Sequence, residues 1–237
     1  MKIILEVIVT VLVADFVSGL LHWLEDAYGR EDWPITGRLV TRPNILHHHE
    51  PRYFTRHGWF HSSWDLMCLG LLVVLVAWLS GLLTWQVWLF VVLGANANQI
   101  HKWAHRTPAE NGPVIAMLQR IRLVQTPRHH ARHHTDPKDS HYCVLTDFLN
   151  PILDRIGFWQ RLEGLIWGVF RLRRRVDTSV TSGRSTTARS PGDDSGIGVN
   201  TPFLFGKRSF IGLSTTPRDA KGWNVRREQF SSKPKMR

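Results

Sequence analysis

Residues 66–95, LMCLGLLVVLVAWLSGLLTWQVWLFVVLGA, contain no formal charge, and their reading decides the architecture. As one continuous helix they would reach about 45 Å, well beyond the ~30 Å hydrocarbon core of a bilayer. A single upright span therefore does not account for them. SGLLT at 80–84 offers a break, so the run predicts a helical hairpin with Trp78, Trp85 and Trp88 near an interface. Each arm of such a hairpin is short, which calls for tilting, local thinning or re-entry.

Upstream, residues 3–21, IILEVIVTVLVADFVSGLL, form a second apolar stretch long enough to cross, although Glu6 and Asp15 interrupt it. With only Lys2 before it and no Ala-x-Ala cleavage pattern after it, the stretch reads as a retained anchor. Downstream, 115–124 and 149–175 read as amphipathic helices lying at the membrane surface. The fold class expected is all-α, with three or four membrane-inserted segments.

The 237 residues divide unevenly in charge. Lys and Arg number 15 against 14 Asp and Glu over 1–170, but 15 against 5 over 171–237, so most of the +11 net charge lies in the last quarter. That quarter is rich in Ser, Thr, Gly and Arg and lacks apolar periodicity, which predicts a disordered basic tail over 177–237. Attraction to anionic lipid explains its charge; it lacks the interleaved aromatics of a nucleic-acid platform, and no nucleic-acid partner is expected. Two cysteines, Cys68 and Cys143, give neither a disulfide framework nor a CxxC zinc signature.

All 13 histidines lie at or before His141. Groups on opposite sides of a bilayer cannot share a metal, so an even number of crossings must separate them. The hairpin meets this condition: it returns the chain to the face of His47, His48, His57 and His61, and the first apolar stretch ends at His22 on that face. The basic run Arg171–Arg175 assigns the face to the cytoplasm.

In ANANQIHKWAH, read as the hairpin's second helix continuing beyond the membrane, His101 and His105 stand at i and i+4 and point from one face. In TPRHHARHHTDP, His130, His133 and His134 share an arc of about 100° if helical. His129 beside them is either a ligand or a donor behind one. A lone histidine on a helix more often packs or contacts substrate than binds metal, and His57 and His61 are candidates of that kind. Recurrence of HxxxH, HxxHH and HH beside membrane spans is what points to metal. Structural zinc takes four ligands and catalytic zinc three plus water, so nine or more imidazoles on one face argue for two ions.

Imidazole alone does not choose the element. Zinc proteolysis needs a glutamate inside HExxH, and Lys102 stands there. GxSxG, Walker and GxGxxG motifs are absent from the sequence. Histidine-rich non-haem iron with dioxygen fits better, because an alkyl C–H bond offers nothing for an acid or base to grip.

In order along the chain, DFVSGLLHWLED, RPNILHHHEPRYFTRH, NQIHKWAH, LVQTPRHHARHH, HYCVLTDFLN and IGFWQRLE resemble the plasmanylethanolamine desaturase family, the Kua or CarF-type lipid desaturase domain. The match runs from about Ala14 to Glu163. The resemblance implies a membrane di-iron desaturase over residues 1–176, using two iron ions, dioxygen as co-substrate and a membrane phospholipid. It assigns His22, His47, His48, His101, His105, His130, His133 and His134 to the iron ligands. His57, His61 and His129 are further candidates. Plant relatives carry another residue at the His57 position, and GWFHSSWD puts His61 and Ser63 where many members carry an acidic residue and an asparagine. Glu50 stands where an aspartate is usual.

If the substrate is an ether lipid, the product is the vinyl ether of a plasmalogen. Electrons would come from a cytochrome b5 or ferredoxin-type donor, at the cytoplasmic face of a bacterial inner membrane or the endoplasmic reticulum. An acyl-lipid desaturase or hydroxylase with the same site is the nearest alternative. A non-catalytic metal-storage or transport protein is a second.

Overall fold

A computed structural model describes residues 1–175. All regular elements among them are helical. The tail predicted to be disordered lies outside the described residues.

Helix α1 (Lys2–Tyr28) buries Ala14, Ser18, His22 and Asp26 at four-residue spacing, with Asp15, Gly19 and Trp23 beside them. This is the stripe expected of a helix with one packed face. The opposite face, including Ile4, Leu5, Ile8, Val9 and Val13, is exposed. Helix α3 (Trp59–Leu79) goes further, burying only Ser63 and Gly70 while Leu69, Leu71, Leu72, Leu75 and Val76 stand outward. So much contiguous apolar surface is unsuited to water and suited to lipid tails. At 27 and 21 residues, α1 and α3 are long and apolar enough to cross a membrane.

The turn over 80–84 forms as expected, with Gly81 at φ +69 in the left-handed region that glycine adopts freely. The arms it joins are unequal. α3 starts at Trp59, before the uncharged run begins, whereas α4 (Trp85–Ala95) has 11 residues and spans about 16 Å. Polar groups inside the apolar stretches find each other: the Gln86 amide on α4 donates to Glu6 on α1 over 3.1 Å.

α4 does not run on through NQIHKWAH. Asn96 (φ −100, ψ 2) breaks the helix, its amide donating to the Val92 carbonyl over 2.8 Å and its oxygen accepting from the Trp59 indole over 3.0 Å. Such local side-chain bonds compete with helix continuation. A separate α5 (Ala97–Ala104) follows.

The cap comprises α2 (Arg42–His49), α6 (Pro108–Arg120), α7 (Pro127–His133), α8 (Asn150–Arg155) and α9 (Phe158–Phe170). A reciprocal Thr107–Glu110 box opens α6, and Thr126 caps α7 while its hydroxyl donates to Asp147 over 2.8 Å. The amphipathic runs predicted at 115–124 and 149–175 have other bounds: α6 begins earlier and already ends at Arg120, and Gly157 (φ +61) splits the second run into α8 and α9, which ends at Phe170.

Residues 142–146 form the buried strap that ties α1 to the cap. Asp15 accepts the amides of Leu145 (2.9 Å) and Thr146 (3.2 Å) and the Thr146 hydroxyl, which accounts for a carboxylate inside an apolar helix. Gly19 lets the strap lie close: a Cβ there would stand 2.6 Å from Cys143 Sγ and 2.9 Å from its amide nitrogen. Asn150 closes the other side, accepting the Cys143 amide (2.9 Å) and donating to its carbonyl (2.8 Å). The strap's Tyr142 ring packs with Trp23 and Trp159 in one cluster, each contributing on the order of 2–3 kcal/mol by burial.

Candidate metal centre

Two groups of buried and half-buried candidate ligands meet where α1, α2, α5 and α7 converge. The first holds His47, His101, His105, His130 and His134, and the second His22, Asp26, His48 and His133, with the ligand atoms of each group within 4.8 Å of one another. The groups adjoin: ring centroids are 5.3 Å apart for His22 and His101 and 5.1 Å apart for His48 and His134.

In the first group the Nε2 atoms of His101 and His130 stand 2.8 Å apart, those of His130 and His134 3.0 Å, and those of His101 and His105 3.3 Å. α5 supplies His101 and its C-cap His105, while α7 supplies His130 and its C-cap His134. Burial first, then neighbouring imidazoles, hold His47, His101 and His130 well below the ordinary histidine range and take His105 down to about 3. His134 is depressed for the same reasons. These rings are neutral at physiological pH, leaving lone pairs for a cation.

The second group surrounds one carboxylate. Asp26 Oδ1 lies 3.0 Å from His48 Nε2, and Oδ2 lies 3.2 Å from His133 Nε2 and 3.7 Å from His22 Nε2. Asn44 also donates to Oδ1, at 2.5 Å. Backbone carbonyls orient the rings: His22 Nδ1 donates to Tyr142 O over 3.1 Å and His133 Nδ1 to Ser140 O over 2.9 Å. Each bond leaves Nε2 facing Asp26, and a carbonyl bonded behind a ring in this way fixes a ligand's tautomer.

The donor set fits metal ions. His22 Nε2, both nitrogens of His47, His133 Nε2 and Asp26 Oδ2 are buried without a hydrogen-bond partner, which is costly unless something satisfies them. Two nitrogens each about 2.1 Å from one ion stand roughly 3.0–3.4 Å apart, close to the spacings of the first group. Three histidines with a carboxylate and five histidines without one are hard-to-intermediate donor sets that suit a first-row transition metal.

His57 and His61 belong to neither group; their rings face each other at 4.7 Å on the wall of an adjacent cavity. His129 also stands apart, its Nε2 accepting from Asn150 at 3.1 Å. Lys102, at the position where a protease would carry its glutamate, is 1% exposed and donates to the His57 carbonyl over 2.7 Å. Asp26, within DFVSGLLHWLED, is absent from the candidate ligands expected from the sequence. Its i+4 spacing on α1 is the signal that puts it on the same face.

The adjacent cavity measures about 530 Å³. Along α1 it is lined from Ala14 and Val17 up to His22 and Glu25, and along α3 from Val73 and Gly70 up to Ser62 and His61. Polar lining gathers at the cap end, where His22, His47 and His101 enter the wall, and the rest is apolar. α4 packs against both α1 and α3, which share no comparable interface, so it forms the back of a groove between them.

Comparison with known proteins agrees with this geometry. The model of the lipid desaturase domain matches residues 11–177. The chain is 37% identical to plasmanylethanolamine desaturase 1 of Mus musculus over 187 residues, covering 74% of this chain and 69% of that one. It is 32% identical to plasmanylethanolamine desaturase of Myxococcus xanthus over 197 residues, 78% of this chain and 68% of that one. It is 28% identical to the chloroplastic fatty acid desaturase 4 of Arabidopsis thaliana over 167 residues, 69% of this chain and 51% of that one. No solved structure matches.

Proposed function

The chain belongs to the lipid desaturase domain family, and from that membership we propose a di-iron, dioxygen-dependent enzyme that converts an alkyl ether phospholipid into the vinyl ether of a plasmalogen. At the coarser level it is a membrane oxidoreductase acting on lipid. The observation that carries the finer reading is the position of His22, His47 and His101 at the polar end of the cavity. A lipid lying with its chain in the apolar part presents to these residues the carbons beside its headgroup, which are those that become a vinyl ether.

His47, His101, His105, His130 and His134 would hold one iron, and His22, Asp26, His48 and His133 the other. Bound there, the pair supplies the redox chemistry by which dioxygen takes hydrogen from an unactivated carbon. The chain's own residues position and protect. The Tyr142 and Ser140 carbonyls keep His22 and His133 in one tautomer. Phe54, its ring 4.6 Å from His47 and 4.9 Å from His101, shields the first group from water. The groove walls hold two neighbouring carbons toward the histidines.

Overall, one CH2–CH2 unit and one dioxygen take up two electrons and two protons to give the double bond and two waters. The sequence has no nucleotide-binding turn, so the electrons come from a separate cytochrome b5 or ferredoxin-type donor. Arg171–Arg175, following α9, supports a cytoplasmic position for the centre, in a bacterial inner membrane or the endoplasmic reticulum. Residues 1–176 constitute the desaturase domain.

The name of the Arabidopsis relative favours a second reading, an acyl-lipid desaturase with the same centre. Expression in a host lacking plasmalogens, with and without an ether-lipid precursor, separates the two by lipid mass spectrometry. Vinyl ether dependent on the precursor, two irons per chain and loss of product in His133→Ala are expected. Full metal loading with no oxygen consumed on any lipid would overturn both readings in favour of storage.

A further inference from the structure

Partway down the apolar part of the groove stands a contact the desaturation chemistry does not explain. Gly70 is buried, lines the cavity and faces Val91 of α4, which lines it too. A Cβ at position 70 would stand 2.9 Å from Val91 Cγ1 and would meet nothing else within 4 Å except Val91 Cβ. Glycine here therefore permits close approach of α3 to α4 at one level of the groove, and bulk added at 70 must enter the space that Val91 borders. Only one more turn of α3 contributes to the lining, through Val73.

Helix rise converts these positions into depth. From Asp65, at the polar end, to Gly70 is about 7.5 Å and to Val73 about 12 Å; from His22 to Ala14 on the facing wall is also about 12 Å. A fully extended chain advances about 1.2 Å per bond, taking ~3.6 Å per three-bond peptide unit as the guide. The groove is thus about ten carbons deep, and the Gly70–Val91 contact lies about six carbons down.

We infer that this groove takes the substrate's hydrocarbon chain sideways from the bilayer, between α1 and α3, and that glycine at position 70, by adding no bulk beside Val91, lets the chain reach the groove's full depth. The occupant is a lipid chain because the walls are apolar, because the outer faces of α1 and α3 are themselves lipid-facing, and because the polar end opens onto the histidine groups. Carbons beyond the tenth lie in the membrane and contribute nothing to recognition. The inference rests on the lipid desaturase reading for the identity of the ligand, but not on the position of the double bond.

The test is equilibrium binding of ether and acyl phospholipids of graded saturated chain length to the purified full chain in detergent, read without turnover. For the unaltered protein, affinity rises about fourfold per added methylene, the value of one buried CH2, until about ten carbons, and then levels. Gly70→Leu moves that break to about six carbons. Gly70→Ala combined with Val91→Ala, which shifts bulk from one side of the contact to the other, restores the deeper break and controls for misfolding. A break that stays in place in a folded Gly70→Leu protein, or affinity that climbs without levelling, overturns the inference. Absence of desaturation with the break moved as described would overturn the functional reading alone.

Discussion

Replacing Asp26 with asparagine tests the centre most directly, because the side chain keeps its shape and loses only its charge. The carboxylate faces three imidazoles, at 3.0, 3.2 and 3.7 Å, and is the one acidic member of either group. Losing even a partner behind a ligand costs about 10–100-fold in metal affinity, or about 1.4–2.7 kcal/mol; a ligand facing the ion directly sets that as a floor. The five-histidine group shares no ligand with Asp26 and serves as an internal reference. Anaerobic equilibrium dialysis against graded ferrous iron, with metal counted by plasma emission, should show two ions per chain falling to one over a range where the reference site stays filled. Two ions retained at unaltered affinity would refute the assignment of Asp26. Equal loss of both, with helix content unchanged, would mean that the carboxylate organises the cap rather than holding an ion.

Three further outcomes are expected, two from the geometry and one from composition. His57→Ala and His61→Ala should leave metal content intact and raise KM several-fold, since both rings line the cavity and belong to neither group; loss of an ion in either variant would make that residue a ligand. Gly19→Val should destabilise the protein by about 1–3 kcal/mol or more through overpacking against Cys143, and thermal unfolding in nanodiscs unchanged from the parent would contradict the close approach of strap and helix. Deleting 177–237 should leave desaturation within about twofold, on the expectation from composition that this basic, low-apolar segment forms no part of the core, and a dead truncated enzyme would reverse it.

The parts of the molecule legible from sequence are those with a local cause. A glycine in SGLLT and thirty uncharged residues are enough to write a hairpin, and HxxxH and HxxHH are enough to put rings on one side of a turn. What could not be read depends on partners far away in the chain. Nothing within ANANQIHKWAH forbids one helix; Asn96 breaks it because the Trp59 indole arrives to hold its side chain. Asp26 resembles any acidic residue at a helix end until His48 and His133 close on it from α2 and α7. His129 shares a motif with His130 but is turned toward Asn150, which sits where it does because the strap needs it.

The bond from His22 to the Tyr142 carbonyl joins positions 120 residues apart. During translation, therefore, the anchor and the hairpin enter the bilayer well before the residue that orients the first histidine has left the ribosome. The second histidine group is fully oriented only after the chain has passed Tyr142. A product terminated before Tyr142 would carry the two long apolar helices α1 and α3 yet lack the carbonyl that orients His22.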